Sequence, residues 1–296
     1  MNVTPADLLG ALPKSILVHE HILTDFVGAD LVSRSRYSRD EVIAVALPKL
    51  EEIARLGCVR LQECTPNFLG RDPILLDRLA QASGIDIWTN TGLYAANEYR
   101  HLPDFAKTES AEELAKRWIA EWRNGIEGAK PRFIKIGVNS APLGEWDRKL
   151  VKAAAITSTE TGLTIAAHSG LGAAVEQLEL LSELNFPLNK FVWVHANAEP
   201  DHAVHAEVAG AGAWVEFDYV NAESSAWHRE CVEFMQNENL LDQVLISQDS
   251  GWWHTGEPEG GDFNGYDFIY TDFLPSLPQT LWRQLLWDNP RKAFGE

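Results

Sequence analysis

Three cysteines in 296 residues remove two classes of protein at once. Cys58, Cys64 and Cys231 are odd in number and none sits in a Cys-x-x-Cys pair. Neither a disulfide scaffold nor a cysteine zinc site is therefore expected. Basic residues are also scarce, 25 Lys and Arg against 43 Asp and Glu, which leaves a net charge of −18. Nucleic acids and anionic membranes select clustered Lys and Arg. Neither is an expected partner, and the acidity itself reads as solubility. No apolar run approaches a membrane span, and the N-terminus carries no basic-then-apolar leader. A cytoplasmic location is expected. Low-complexity tracts are missing too.

What remains is a chain long enough for a large core, with eleven Trp. That number points to a large aromatic core or an aromatic pocket. After a polar lead-in at 1–14, short apolar runs alternate with amphipathic stretches. Strands are expected at 15–21, 58–64, 85–90, 132–138, 163–169, 190–195, 213–218 and 244–249. Helices are expected at 38–56, 72–83, 110–124, 145–161, 172–185, 199–209, 223–239 and 278–294. Ser38 and Glu41 form a capping-box start. Gly57, Gly84 and Gly162 are stop signals, and Pro48 should kink or split its helix. Alternating β and α elements imply a parallel sheet covered on both faces. Eight repeats point to an α/β fold of the (β/α)8 TIM-barrel type, one domain over 1–296, for which about 250 residues is typical. Residues 250–276 form a long loop after strand eight, read as a substrate lid.

Active sites of such barrels lie at the C-terminal ends of the strands. Those ends carry His19, His21, Glu63, Asn90, Lys135, His168, His195, Asp218 and Asp249. His19 and His21 are two apart, so in a strand they point to the same side. Any one of the four histidines alone reads equally well as a core residue; all four at strand ends do not. Together with one or two aspartates they make a nitrogen and oxygen ligand set, with no thiol placed to help. Zinc suits it first, with manganese, cobalt or iron as alternatives. The ligands outnumber the needs of one tetrahedral catalytic ion, so two divalent metal ions are expected. A buried ammonium at Lys135 beside them would be repelled. Lys135 is then either a neutral base or a carbamate formed with CO2, which could bridge two metals. With Asp249 and a bridging hydroxide, the carbamate leaves a small positive excess to meet a hydrolytic oxyanion. Glu63 and Asp218 read as supporting groups. His101, His202, His205 and His228 read as solvated.

His19-Glu20-His21, Phe133-Ile134-Lys135, Ala167-His168-Ser169, Val194-His195 and Ile246-Ser247-Gln248-Asp249 occur in an order and at spacings that resemble the phosphotriesterase family of the amidohydrolase superfamily. That family includes the phosphotriesterase-like lactonases. The resemblance covers nearly the whole chain. It implies that His19, His21 and Asp249 hold one metal and His168 and His195 the other, with carboxylated Lys135 between. It implies that Asp249 takes the proton of the bridging hydroxide during attack, and that the protein is a homodimer. Tyr94, in Thr-Gly-Leu-Tyr, matches a lactonase position whose hydroxyl faces the metals. Gln248, Ser250-Gly251, the Ala-Asn-Ala-Glu-Pro after His195, and Tyr219 depart from the better-known members and bear on substrate choice. The last loop adds Trp252, Trp253 and His254, aromatic groups suited to stacking a sugar ring or a lactone. With Tyr94 and Tyr219 they are the expected contacts of a small-molecule substrate. Arg34, Arg36 and Arg100 are expected in solvent. The expected reaction is opening of a lactone or cleavage of a related ester, with phosphotriesterase or amidase chemistry as the alternative. A metal-containing binding protein without turnover is the contrasting reading.

Overall fold

The computed structural model describes residues 12–295, so most of the expected lead-in, 1–11, lies outside the described residues. The chain is a (β/α)8 barrel. Its staves are β1 (Ser15–Glu20), β2 (Cys58–Glu63), β3 (Asp86–Trp88 continued by Asn90–Thr91) and β4 (Phe133–Val138). Then follow β5 (Ile165–Ser169), β6 (Phe191–Val194), β7 (Trp214–Phe217) and β8 (Val244–Ile246). Parallel ladders join each stave to the next from β1 to β8, passing between the two pieces of β3 at Thr89. The β8–β1 seam has no ladder. Asp249 N donates to His19 O at 3.1 Å and His21 N to Ser250 O at 2.8 Å. The fully buried Glu20 carboxylate completes the seam by accepting from Ser247 Oγ (2.8 Å), Gln248 N (3.0 Å) and Ser250 N (2.7 Å).

Helices cover the outside: α1 (Arg39–Arg55), α2 (Pro73–Ser83), α3 (Ala111–Asn124), α4 (Glu145–Thr161), α5 (Ala173–Glu183), α6 (His202–Gly210) and α7 (Ser225–Asn237). The last, α8 (279–293), contains a π-turn at Gln284–Asp288. Ser38 caps α1 by accepting from Glu41 N, as its sequence implies. The reciprocal Ser110 and Glu113 box starts α3. Pro48 does not split α1, which runs unbroken from Arg39 to Arg55. A proline removes one ladder bond; the buried stripe Val42, Ala46, Leu50 and Ile53 holds the remaining turns against the barrel.

One apolar cluster draws on every stave: Ile16 and Val18, Cys64 just past β2, Trp88, Phe133, Ala166, Val192 with Val194, Trp214, and Leu245. Only a barrel interior can be reached from all eight strands. Phe294 and Trp287 from the C-terminal end join it. The loop expected to be a lid is two things. Tyr266, Tyr270 and Phe273 are fully buried, and Ile269–Phe273 is π-helical, so the second half belongs to the core. The first half pairs Trp253–His254 with Leu23–Thr24 beside the barrel mouth.

The loop between β1 and α1 keeps Arg34 and Arg36 exposed, as expected, yet is tied down by charge. Arg36 Nε meets Asp25 Oδ2 at 2.7 Å, and Arg34 reaches Asp72 and Glu127. Asp72 is the N-cap of α2, accepting from Leu75 N (3.1 Å), Arg39 Nε (2.7 Å) and Tyr37 Oη (2.6 Å). Burial alone would raise its pKa. Arg39, Arg34 and Tyr37 outweigh that and hold it down to about 2. A carboxyl depressed on folding adds stability that is complete above its unfolded value and is lost as pH falls through the folded one. Asp72→Asn is expected to destabilise the fold by about 1–2 kcal/mol at neutral pH, after discounting for the partly exposed arginines. The deficit should shrink towards zero between about pH 4 and pH 2. Urea midpoints for both proteins across that window check this; an unchanged deficit at low pH would rule out charge as the cause.

Candidate metal centre

The interior rows lead upward to the chemistry. Phe133 is followed on its face by Lys135, Ala166 by His168, Trp214 by Glu216 and Asp218, and Leu245 by Ser247 and Asp249, each two residues on. Two staves break alternation to do the same. In β1, Ile16 and Val18 face the interior, which would send His19 outward. The register shifts between Leu17 and Glu20, a bulge-like irregularity that re-aims the end of the strand. In β6, Val192 and Val194 face inward, and His195 takes φ 65°, which turns its ring back to the mouth. Tyr219 (φ 60°), Asp249 (φ 50°) and Trp252 (φ 74°) share this left-handed backbone. Such geometry costs on the order of 1 kcal/mol per residue and tends to collect at functional sites.

His21 Nε2 lies 3.2 Å and His19 Nε2 3.6 Å from Asp249 Oδ1. Ligand atoms of one tetrahedral ion with bonds of about 2.0–2.1 Å stand roughly 3.3–3.4 Å apart. The second pair is close by, with the His168 and His195 rings at 4.5 Å and His19 and His195 at 5.1 Å. The far nitrogens are held. His19 Nδ1 meets Glu216 Oε1 (3.0 Å) and Asp218 Oδ2 (3.2 Å), and His195 Nδ1 meets Asp218 Oδ1 (2.7 Å). His21 Nδ1 meets Thr65 Oγ1 (2.7 Å), whose hydroxyl donates to Glu63 Oε1 (2.5 Å). Each carboxylate or hydroxyl fixes a proton on Nδ1 and leaves Nε2 bare towards the centre, the usual support of a metal-bound histidine. Burial lowers His21 to about 4 and holds His168 well below the ordinary imidazole range, while against burial the Asp249 and Asp218 carboxylates hold His19 above it, a proton that a cation would displace. Burial opposes charge on Asp249, but His19 and His21 hold its carboxyl well below the usual range.

Asp249 Oδ1, Lys135 Nζ and, behind His19, Glu216 Oε2 are buried here without a hydrogen-bond partner. The Lys135 charge acts on His19, His21 and His168 alike, which places it among them. A carboxylate oxygen left unsatisfied among imidazole nitrogens fits a bound cation, and the amine beside it fits one once it is neutral or carboxylated. The donor set therefore fits metal.

The family model for the phosphotriesterase family matches residues 3–294. The chain belongs to the phosphotriesterase family. This is a family of binuclear metal-dependent hydrolases, and the barrel mouth of this chain carries His and Asp groups that could hold metal. The Phosphotriesterase homology protein of Escherichia coli is 24% identical over 94% of this chain and 97% of its own length. N-acetyltaurine hydrolase of Salmo salar is 26% identical over 82% of this chain and 75% of its own. Among solved structures, the Escherichia coli homology protein complexed with phosphate superposes with a TM-score of 0.82 at 22% identity, covering 95% of this chain and 98% of that one. A lactonase from Listeria monocytogenes gives 0.81 at 21% identity, covering 95% and 94%. Among the described residues no helix is long and apolar enough to cross a membrane.

The residues expected to meet substrate divide. Trp252 lies over His21 (4.1 Å) and stacks on Phe26 (5.8 Å) and His254 (5.9 Å), which stand 6.0 Å from each other. Tyr219, 59% exposed, lines the same cleft of about 820 Å³ together with Asp249. Tyr94 packs its ring on His168 at 5.0 Å. Gly137 makes room for that ring, since a Cβ there would strike it. Trp253 points elsewhere; its buried ring sits against Gly260, outside the cleft. Strand pairing with Leu23 imposes this, because neighbours in a strand face opposite ways. Phe26, 40% exposed, and Glu216 escaped sequence reasoning. Glu216 had a signal, two residues before Asp218 on the same face. Phe26 had none. The histidines expected in solvent are not there: His101, His205 and His228 are buried and His202 is half-buried. Backbone carbonyls draw two of them in, His205 Nε2 to Ala196 O (2.8 Å) and His228 Nε2 to Asp218 O (2.5 Å).

Asp218 orients both His19 and His195. Asp218→Asn is expected to weaken metal retention by about 10–100-fold while leaving the ligands in place. Competition with a chelator, read as metal per chain, checks it; unchanged retention would show that Glu216 suffices.

Proposed function

We propose that this protein is a binuclear metal-dependent hydrolase that opens a lactone or cleaves a related carboxylic ester of a neutral small molecule. The observation that carries the proposal is the unpartnered Asp249 Oδ1 between His19 and His21, at the floor of an aromatic cleft. His19, His21 and Asp249 would hold one divalent ion and His168 and His195 the other, zinc first, with Lys135 between them as a carbamate. Bound there, the ions would supply an activated water nucleophile and polarise the carbonyl oxygen.

The chain's own groups do the rest. Asp249 keeps a free carboxylate oxygen to take the proton released as water attacks. Trp252, backed by Phe26 and His254, offers a flat apolar wall on which a ring can lie. Tyr94 stands beside His168 at the other side of the mouth. The cleft is lined by Glu223 and Asp267 and by no Lys or Arg among the described residues. That lining disfavours an anionic tail, such as the sulfonate carried by the substrate of the N-acetyltaurine hydrolases. An uncharged ester or lactone meets no such penalty. Amide or phosphotriester cleavage would use the same groups, and relatives named for both exist.

Protein reconstituted with zinc and bicarbonate should be offered sugar lactones, acyl-homoserine lactones, aryl esters, N-acyl amines and an aryl phosphotriester. A lactone or ester is expected to lead in kcat/KM. Dominant phosphotriester or amide turnover would overturn the choice of bond. Asp249→Asn is expected to lower kcat by about 10²–10⁴-fold at equal metal content; full activity with both ions retained would remove the proton-transfer role.

A further inference from the structure

Behind the mouth, α6 and α7 bring together three ligand-type side chains of different chemistry. His202 and His205 lie one turn apart on α6, and Cys231 meets them from α7. One ligand atom of each lies within 4.8 Å of the others. His205 and Cys231 are fully buried and His202 is half-buried. The two Nδ1 atoms stand 3.2 Å apart. That distance suits a hydrogen bond, and equally two nitrogens on one tetrahedral ion with bonds of about 2.0–2.1 Å.

For neutral rings, proton counting favours a shared cation; an imidazolium at His202 would satisfy the same partners, and the titration below distinguishes the two. His205 Nε2 lies 2.8 Å from Ala196 O, an atom that only accepts. His205 therefore carries its proton on Nε2, and its Nδ1 is a bare lone pair. Suppose a neutral His202 donates Nδ1–H to it. His202 Nε2 is then also bare. That atom is buried without a hydrogen-bond partner and stands 3.6 Å from Glu230 Oε1, a lone pair facing a carboxylate. Now suppose both Nδ1 atoms share a cation. His202 carries its proton on Nε2, directed to Glu230, and His205 keeps its own on Ala196 O. Both rings then have the outer acceptor that metal-bound histidines use. His202 is also pre-set in this pose, stacked between Trp227 (4.8 Å, 14°) and Phe234 (4.6 Å, 11°).

We propose that His202 Nδ1, His205 Nδ1 and Cys231 Sγ form a metal site separate from the barrel mouth, taking one soft or borderline cation of the zinc class. Binding releases the thiol proton and leaves a thiolate ligand. Spacing rules missed the site because they search for paired cysteines, whereas its one sulfur comes from a different helix. The ion would clamp α6 to α7. Both helices back the catalytic end: His205 holds Ala196, next to His195, and Trp227 Nε1 donates to Asn197 O (2.8 Å), while Asn197 Oδ1 accepts from Asp218 N (3.0 Å).

Cobalt titration of the metal-free, full-length protein tests this by absorbance. The mouth offers only nitrogen and oxygen ligands, so a near-ultraviolet sulfur-to-cobalt charge-transfer band reports the thiolate alone. We expect that band in the unaltered protein, its loss in Cys231→Ser, and one cobalt fewer per chain in that variant. No band in the unaltered protein at excess cobalt overturns the proposal. A band surviving in Cys231→Ser also overturns it, since the sulfur would then be Cys58 or Cys64. Should Cys231→Ser not fold, His202→Gln must weaken the band by at least about 10-fold in cobalt affinity; an unaltered titration there is equally adverse.

Discussion

Closure of the barrel and assembly of the metal centre depend on one set of hydrogen bonds, those across the β8–β1 seam. The same residues serve both. His19 gives its ring to the centre, its carbonyl to Asp249 N, and its own N–H to Ser247 Oγ at 3.0 Å. Asp249 gives its carboxylate to the centre and its N–H to the seam. Glu20, between the two histidines, ties three donors of the β8 end to β1. A ladder would have satisfied these groups with backbone alone and left the strand ends straight. Side-chain closure allows β1 and β8 to bend where the ligands must converge.

Charge explains why so many carboxylates gather at an otherwise buried place. Asp218, Glu216, Asp249 and Glu63 all stand near the histidines, and Lys135 Nζ is the one buried amine among them. Burial opposes charge on Asp218, yet His195 and His19 hold its carboxyl well below the ordinary range. An arrangement this rich in acceptors suits cations, which is the electrostatic logic of a divalent site. The aromatic wall of Phe26, Trp252 and His254 then excludes water from one side, strengthening those interactions without adding charge.

Left-handed backbone occurs in several loops, and four instances gather at the mouth. His195, Tyr219, Asp249 and Trp252 are non-glycine residues at positive φ, and all lie at the mouth. Gly251, between two of them, sits where a Cβ would collide with His21 O. Regular strands cannot supply these side-chain directions, so the backbone leaves regularity where the strand ends must aim their side chains at the mouth.

The amino-acid sequence by itself determined the eight-fold alternation, the helix starts at Ser38 and Ser110, and the placing of His19, His21, Lys135, His168, His195 and Asp249 at strand ends. Apolar period and capping chemistry are local properties, so they are legible without a fold. Tertiary structure alone decided which way those ends face, through the β1 irregularity and the left-handed turn at His195. It decided that Trp253 turns into the protein while Trp252 covers His21, because pairing with Leu23 sets the register. It decided that Glu216 joins Asp218 behind His19, and that His202, His205 and Cys231 meet across two helices. These are contacts between residues distant in the chain. Their energies come from burial and from partners that no sequence window contains.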